Sequence, residues 1–242
     1  MNDILISSIR ERYQRVLGRI AEAALQSGRE PGSIRLVVVT KTQPLETIRA
    51  AIAAGVSLLG ENYAEEAVEK IAALPETGVE WHMIGHVQSR KADLVARHFT
   101  MLHSLDSAKL AARLDRFCGE IGRRLPVLLE FNVSGEASKF GLPAWDEQRW
   151  PELEPEISSI LPMLNLHLRG LMTMPPLVDD PEQTRPYFKR LRRLQEFLVK
   201  HYPQAQWDEL SMGTSIDYPA AIQEGATFVR VGTAIVGPRS RN

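Results

Sequence analysis

Lys41, Arg230 and two small-residue turns are the parts of this sequence whose types and spacing suggest chemistry. Lys41 directly follows the apolar run Leu36-Val37-Val38-Val39-Thr40, so a primary amine stands where a short buried strand ends. Low-dielectric surroundings disfavour an ammonium and favour the free amine, which attacks an aldehyde to form a Schiff base. Most lysines at strand ends are instead solvated or ion-paired. Ser211-Met212-Gly213-Thr214-Ser215 and Gly232-Thr233 each follow another strand-like run. Both offer backbone N–H groups with hydroxyls beside them, the pattern that cradles a phosphate, although either turn alone is accounted for by a tight reversal of the chain. Arg230 lies within Thr227-Phe228-Val229-Arg230-Val231, where strand alternation sets Val229 and Val231 on one face and Phe228 with Arg230 on the other. If the valines face helices, the guanidinium faces inward and demands an acceptor. A structural carboxylate or carbonyl would serve, and so would a ring nitrogen of a cofactor.

These groups meet only if the chain folds so that strand ends converge. The order of elements favours that. A leading helix over residues 1–28 carries Ile6, Ile9, Tyr13, Val16, Ile20 and Ala24 at steps of three and four, with Gly28 past its end. Strands then alternate with helices: Leu36 to Thr40, with Pro44 opening and Gly55 closing the helix that follows; Leu58 to Glu61; Trp81 to Ile84 before a helix from about Ser89; Met101 to Ser104 before a helix from Ser107 to Gly122. Val127 to Asn132 precedes a longer loop and a helix around Trp150 to Ile160, and Leu166 to Met172 precedes Asp180-Pro181 and a helix to about Lys200. Glu209 to Met212 and Thr227 to Val231 complete about eight units in one series. That count predicts a closed (β/α)8 TIM-type barrel, read as one domain over residues 1–242, with functional residues at the C-terminal strand ends and phosphate near the last two. The leading helix would complete the helical layer that the short last unit lacks. An open doubly wound sheet is the alternative, but the first turn, Lys41-Thr42-Gln43-Pro44, is not glycine-rich, and neither GxGxxG nor GxxxxGK[ST] occurs.

Composition narrows the classes. The 242 residues carry 29 Lys plus Arg against 30 Asp plus Glu, a formal charge of −1, with 44% hydrophobic residues. A balance so near neutral gives no general attraction for nucleic acid or anionic lipid. No apolar stretch approaches the roughly 20 residues of a membrane span. The single cysteine, Cys118, forms neither an intramolecular disulfide nor a cysteine zinc site, and the start MNDILISSIRERYQRV carries charge where a signal peptide needs an apolar core. The cytoplasm is the expected location. His82 and His86 have the spacing of two metal ligands on a helix but fall in a strand, about 13 Å apart, too far for one ion; packing or hydrogen bonding at the barrel mouth is expected of His86. Lys189, Arg190, Arg192 and Arg193 read as a solvated helix face, Phe188 and Phe197 as core, and Cys118 as a small buried hydrophobe.

Taken together, Val39-Thr40-Lys41-Thr42, Gly60-Glu61-Asn62-Tyr63, Trp81 to Gln88, Asn132-Val133-Ser134-Gly135-Glu136, Ser138-Lys139-Phe140-Gly141, Arg169-Gly170-Leu171-Met172-Thr173, Ser211-Met212-Gly213 and Arg230 to Ile235 resemble the pyridoxal 5′-phosphate homeostasis protein family. The resemblance implies a barrel like the N-terminal domain of alanine racemase, with pyridoxal 5′-phosphate (PLP) as a Schiff base on Lys41. It also implies that the phosphate lies near Ser211, Gly213, Gly232 and Thr233, that the pyridine nitrogen faces Arg230, and that Asn62 and Met172 lie close by. Thr214 departs from the methionine common in the family, and Ile216 from a small or acidic residue. An arginine cannot yield its proton to a pyridine nitrogen, which makes a weaker electron sink than an aspartate partner does.

The expected function is a carrier that buffers or delivers PLP to apo forms of PLP-dependent enzymes; a racemase or proton exchanger and a Schiff-base aldolase are the alternatives. Racemisation needs a base on each face of the cofactor plane, and only the nine residues Ala234 to Asn242 follow Gly232-Thr233; in the racemases that the barrel resembles, the second base is a tyrosine from a further domain of a partner subunit. A racemase or slow α-proton exchanger would use Lys41 with Tyr218 or Tyr63 as the other base. A Schiff-base aldolase of sugar phosphates would use the same lysine and phosphate site. A monomer is expected, with no committed catalytic residues and no metal, nucleic-acid or membrane partner.

Overall fold

The computed structural model describes residues 2–75 and 78–238; position 1 of the leading helix and 239–242 of the terminal segment lie outside the described residues. Among these, nine parallel strands run β1 (Arg35–Val39), β2 (Leu58–Glu61), β3 (Glu80–Met83), β4 (Met101–Leu105), β5 (Leu125–Asn132), β6 (Leu142–Pro143), β7 (Leu166–Met172), β8 (Glu209–Ser211) and β9 (Phe228–Val231). All but the two-residue β6 form a closed barrel in chain order. β9 pairs with β1 in the register Leu36↔Val229 and Val38↔Val231, and β4 pairs with β5 through Leu102↔Val127. The eight-stranded parallel barrel expected from the alternation is therefore the observed fold. β6 is an addition that the sequence pattern does not announce: the loop after β5 folds back so that Leu142 pairs with Phe131 and Pro143 with Asn132.

The helices are α1 (Asp3–Gln26), α2 (Leu45–Ala53), α3 (Ala64–Ala72), α4 (Ala92–His98), α5 (Ala108–Glu120), α6 (Glu154–Ile160), α7 (Arg185–His201), α8 (Tyr218–Gln223) and α9 (Thr233–Val236). The Asn2 side chain caps α1 by accepting from Leu5 N, and Ser107 caps α5 by accepting from Leu110 N. α1 packs on α2, α8 and α9, and so covers the barrel where the last unit meets the first. Pro44 precedes α2 as its N-cap rather than entering its first turn. α6 is shorter than the expected Trp150 to Ile160 because Pro151, which has no N–H, sits in a tighter 3-10 turn over Glu147–Leu153. The strands starting at Arg35 and Glu80 begin one residue earlier than the apolar pattern, since a charged side chain at a strand end does not prevent its backbone from pairing: Arg35 N donates to Thr227 O at 2.7 Å.

Alternation divides the apolar residues between two cores. Val37, Ile84, Met101, Leu128, Met172 and Phe228 fill the barrel interior, whereas Leu36, Val38, Leu59, Val229 and Val231 pack outward against the helices. Val229 and Val231 thus face the helical layer, and Phe228 and Arg230 face the interior. At the lower end Glu209 bonds Arg35 at 2.5 Å, and the Arg35 guanidinium lies 3.7 Å from the Phe228 ring centroid. The basic stretch of α7 is more than a solvated face: Arg190 Nη1 donates to Val133 O at 2.6 Å and Arg193 pairs with Glu147, tying α7 to the segment after β5. Phe188 and Cys118 are buried.

Gly170 marks where this packing leaves no room for a side chain. A Cβ there would stand 2.0 Å from Glu209 O, at φ +153°, because β7 and β8 run side by side with Gly170 opposite Glu209. Gly170→Ala is expected to lower stability by about 3 kcal/mol or more through forced strand displacement; an unchanged urea midpoint would show that the strands yield freely.

Candidate functional site

A cavity of about 490 Å³ opens at the C-terminal ends of the barrel strands. Of the residues that the sequence marks for ligand contact, Lys41, Asn62, Arg230, Gly232 and Thr233 line it. Lys139, Phe140, Glu130, Met174, Thr214, Ser215, Ile216 and Asp217 line it as well. Cations and carboxylates therefore share one concave surface with apolar walls.

Lys41 reaches the rim from a turn that the neighbouring unit holds in place. Thr42 adopts φ 59°, a left-handed conformation that costs a β-branched residue of the order of 1–3 kcal/mol. Its N–H donates to Glu66 Oε1 at 2.7 Å. Beneath the turn, Lys70 on α3 is buried and donates to Thr40 O at 2.8 Å and to Glu61 Oε1 at 2.7 Å, and pairs with Glu66 at 2.6 Å. Thr40 Oγ1 also donates to Glu61 Oε1 at 2.7 Å. Burial raises the Glu61 carboxyl against the opposing pull of Lys70. Asn62 follows at the end of β2, pressed against Gly85: a Cβ on that glycine would lie 2.5 Å from Asn62 O.

Arg230 projects from β9 into the barrel, where it is almost wholly buried. Nη1 donates to Ser211 Oγ at 2.5 Å, and Nη2 donates to Thr173 O at 2.9 Å and approaches Met174 Sδ at 2.8 Å. Burial brings its pKa down to about 10, with Asp217 and Glu130 opposing the shift, so the guanidinium stays charged at neutral pH. The two small-residue turns meet beside it, with Gly232 N donating to Ser215 Oγ at 3.2 Å and Arg230 N to Gly213 O at 3.0 Å. Asp217 Oδ1 accepts from both Thr214 N and Thr214 Oγ1, at 2.6 and 2.9 Å, which fixes the first of those turns.

Three of the expected contact residues lie away from the lining. Ser211 is fully buried behind Arg230, the side of Gly213 on which a Cβ would stand packs against Ala221 and Tyr218, and Met172 belongs to the apolar barrel interior. Their places at the cavity wall are taken by Ser215, Thr214 and Met174, one to four residues further along. The two tyrosines considered as bases do not line the cavity either. Tyr218 is buried, with Arg19 of α1 5.5 Å from its ring centroid and its phenol raised by burial; Tyr63 lies outside, 54% exposed. His82 is buried in the barrel, and His86 bonds Asp106 at 2.8 Å and stacks on Phe140 at 3.9 Å between centroids, a hydrogen-bonding and packing role at the mouth. Among the described residues no cluster of three or more potential metal ligands occurs, and no helix is long and apolar enough to cross a membrane.

Glu130 is a part of the site that no motif of the sequence assigns, and the loop after β5, whose motifs carry the family resemblance, reaches the cavity through Lys139 and Phe140. A glutamate inside the apolar strand Leu128-Leu129-Glu130-Phe131 was the available signal, as was Lys70 at an apolar-stripe position of α3 beside Ala67 and Ile71. The loop is folded around Asn132, whose Oδ1 accepts from Ser134 N and Gly135 N and whose Nδ2 donates to Glu136 O; it carries Lys139 and Phe140 over the cavity.

The chain matches the model of the alanine racemase N-terminal domain over residues 21–240. It is 43% identical over 241 residues to the pyridoxal phosphate homeostasis protein of Vibrio cholerae, covering 97% of this chain and 99% of the relative. It is 39% identical over 245 residues to the protein of that name from Escherichia coli, covering 99% and 98%. Among solved structures it resembles PipY of Synechococcus elongatus with PLP bound, at TM-score 0.78 and 37% identity over 90% of this chain and 100% of that one. Alanine racemase from Streptomyces coelicolor shares the fold, at TM-score 0.70 and 18% identity, over 95% of this chain and 58% of that one.

Burial, reinforced by Asp106 and opposed by Arg230, raises the Glu130 carboxyl from 4.5 to about 7. The folded protein then holds this proton more tightly than the unfolded chain does, so its stabilising contribution is full below about 4.5 and is lost as pH rises through about 7. Glu130→Gln should remove that slope. Its stability relative to wild type, read from urea titrations at pH 4.5 and pH 8, is expected to rise between them by on the order of 3 kcal/mol; a pH-independent difference would mean that the carboxyl titrates normally.

Proposed function

We propose that this chain, which belongs to the pyridoxal phosphate homeostasis protein family, binds PLP reversibly through Lys41 and serves to buffer or deliver it. The observation that carries the reading is the convergence in one cavity of a lysine at a strand end, an inward guanidinium and two adjacent small-residue turns. The residues present fit the group. The volume falls in the range of small-molecule sites, and two buried acceptors on the wall, Asn62 Oδ1 and Glu130 Oε2, have no hydrogen-bond partner among the described residues. The relatives' name and the PLP-bound PipY structure support the same ligand.

PLP supplies an aldehyde that condenses with a primary amine, a ring nitrogen with a lone pair, and a phosphate. In this reading Lys41 offers the amine. Arg230 offers donors to the ring nitrogen while keeping its own proton. Thr214, Ser215, Gly232 and Thr233, with their hydroxyls and backbone, would hold the phosphate, and Asn62 would contact the rest of the group. Ser211, Gly213 and Met172 then act from behind this wall, through the residues they hold. A racemase reading lacks its second base, since neither Tyr63 nor Tyr218 lines the cavity. We further take the protein to be a cytoplasmic monomer whose recipients are apo PLP-dependent enzymes.

Borohydride reduction after incubation with PLP is expected to fix the cofactor on the wild-type chain at Lys41. Lys41→Ala should abolish the trapped adduct and leave the circular dichroism spectrum unchanged; a trapped adduct in that variant would place the attachment elsewhere. Arg230→Ala should weaken PLP retention by about tenfold or more, the loss of a charge-assisted hydrogen bond. Solvent-deuterium exchange at Cα of a panel of amino acids, read by NMR on loaded protein, should not exceed that of free PLP; exchange that disappears in Lys41→Ala would make the protein an enzyme.

A further inference from the structure

Behind Arg230 a chain of polar side chains crosses the barrel interior, and the chemistry of its members fixes its direction. Arg230 Nη1 can only donate, so Ser211 Oγ accepts from it at 2.5 Å. The one hydroxyl proton of Ser211 then goes to His103 Nδ1 at 2.8 Å. A neutral His103 carries its proton on Nε2, which donates to His82 Nδ1 at 2.9 Å. His82 in turn carries its proton on Nε2, 3.5 Å from a carboxylate oxygen of Glu80, at the start of β3 and the far end of the barrel. Reversing the chain would leave the Ser211 proton without an acceptor in a buried place and aim an imidazole lone pair at a carboxylate. The two ends thus select the same direction independently.

Both rings are held neutral by their surroundings. Burial, with Arg35 adding to it, takes His82 down to about 3; burial, then His82, Arg230 and Arg35, takes His103 well below the ordinary histidine range. The Phe228 ring packs on both in T-shaped contacts, with centroids 4.8 Å from His103 and 5.7 Å from His82. The Arg230 fork is consequently gripped by Ser211 Oγ, Thr173 O and Met174 Sδ, all uncharged. A contacting carboxylate would orient the fork equally well, but it would cancel the charge.

We propose that Ser211, His103 and His82 are positioning residues that form a one-way hydrogen-bond relay, which aims the Arg230 guanidinium at the cavity without neutralising it and so tunes the site for a ligand with a lone-pair acceptor. That the acceptor is the ring nitrogen of PLP rests on the function proposed above; the relay itself does not.

Two measurements test the two parts. Nitrogen-15 NMR of the imidazoles in wild-type protein without PLP should show His82 and His103 both neutral and protonated on Nε2 from pH 5 to pH 8. An imidazolium, or a proton on Nδ1 of either ring, would overturn the relay whatever the protein binds. In His103→Leu the acceptor for Ser211 is gone, and PLP should be held about tenfold more weakly with a shifted absorbance band. His103→Asn, whose Oδ1 can stand in for Nδ1 as acceptor, should recover most of the affinity and the wild-type band. If both variants melt as wild type does and bind PLP with equal affinity and an identical band, the positioning role is overturned. If His103→Leu does not fold, weakened binding with a shifted band in Ser211→Ala supports the role, and unchanged binding there overturns it. Failure of the wild type itself to take up PLP would sink the proposed function and leave the tautomers to decide the relay.

Discussion

Placing a lysine amine at the mouth of a barrel requires a turn that leaves the strand abruptly, and here that turn depends on a second lysine hidden beneath it. Lys70 gives its three donors to the Thr40 carbonyl and to the carboxylates of Glu61 and Glu66. Burying an ammonium and a carboxylate costs several kcal/mol per ion unless the partners are close and well bonded, and the distances of 2.6–2.8 Å meet that condition. The same Glu66 takes the N–H of Thr42 and holds it left-handed. Strain in the turn is thereby offset by an ion cluster that belongs to the next β/α unit, so the direction in which Lys41 leaves its strand is set by two units acting together.

The opposite wall solves a related problem with neutral groups. Arg230 is buried as deeply as Lys70, yet it touches a hydroxyl, a carbonyl and a thioether rather than a carboxylate. Its balancing charges, Asp217 and Glu130, act from a distance. One cation is neutralised for structure and the other is left available. This contrast distinguishes scaffold from site more sharply than burial does, because both side chains are nearly inaccessible.

Between the two walls the cavity is finished by segments that lie outside the eight barrel strands. The loop after β5 folds over Asn132, adds the short β6 and brings Phe140 onto His86. The turn after β8 is pinned by Asp217. Each is ordered by local side-chain-to-backbone hydrogen bonds, which compete well with solvent where secondary structure has ended. Apolar side chains of Met174, Leu177 and Ile216 also line the cavity, and all three remain substantially exposed.

The sequence by itself determined the kind of fold and the kind of chemistry. Short β-branched runs alternating with helical patterns specify parallel strands buried on both faces, and a period of two decides which face each side chain takes, so Arg230 with Phe228 pointed inward and Val229 with Val231 outward. Lys41 and the turns at Gly232-Thr233 and Ser211 to Ser215 were legible because they directly follow such runs. Tertiary structure decided depth. Periodicity cannot say how far along a strand the interior gives way to the mouth, since that level follows from the tilt and stagger of the whole barrel. Hence Met174 rather than Met172, and Ser215 rather than Ser211, reach the cavity, and Tyr218 turns to α1. Lys70 with Glu61, and His103 with His82 and Ser211, acquire their meaning only from partners on other strands and helices. Their energies come from desolvation and close approach, which exist only once the barrel has closed.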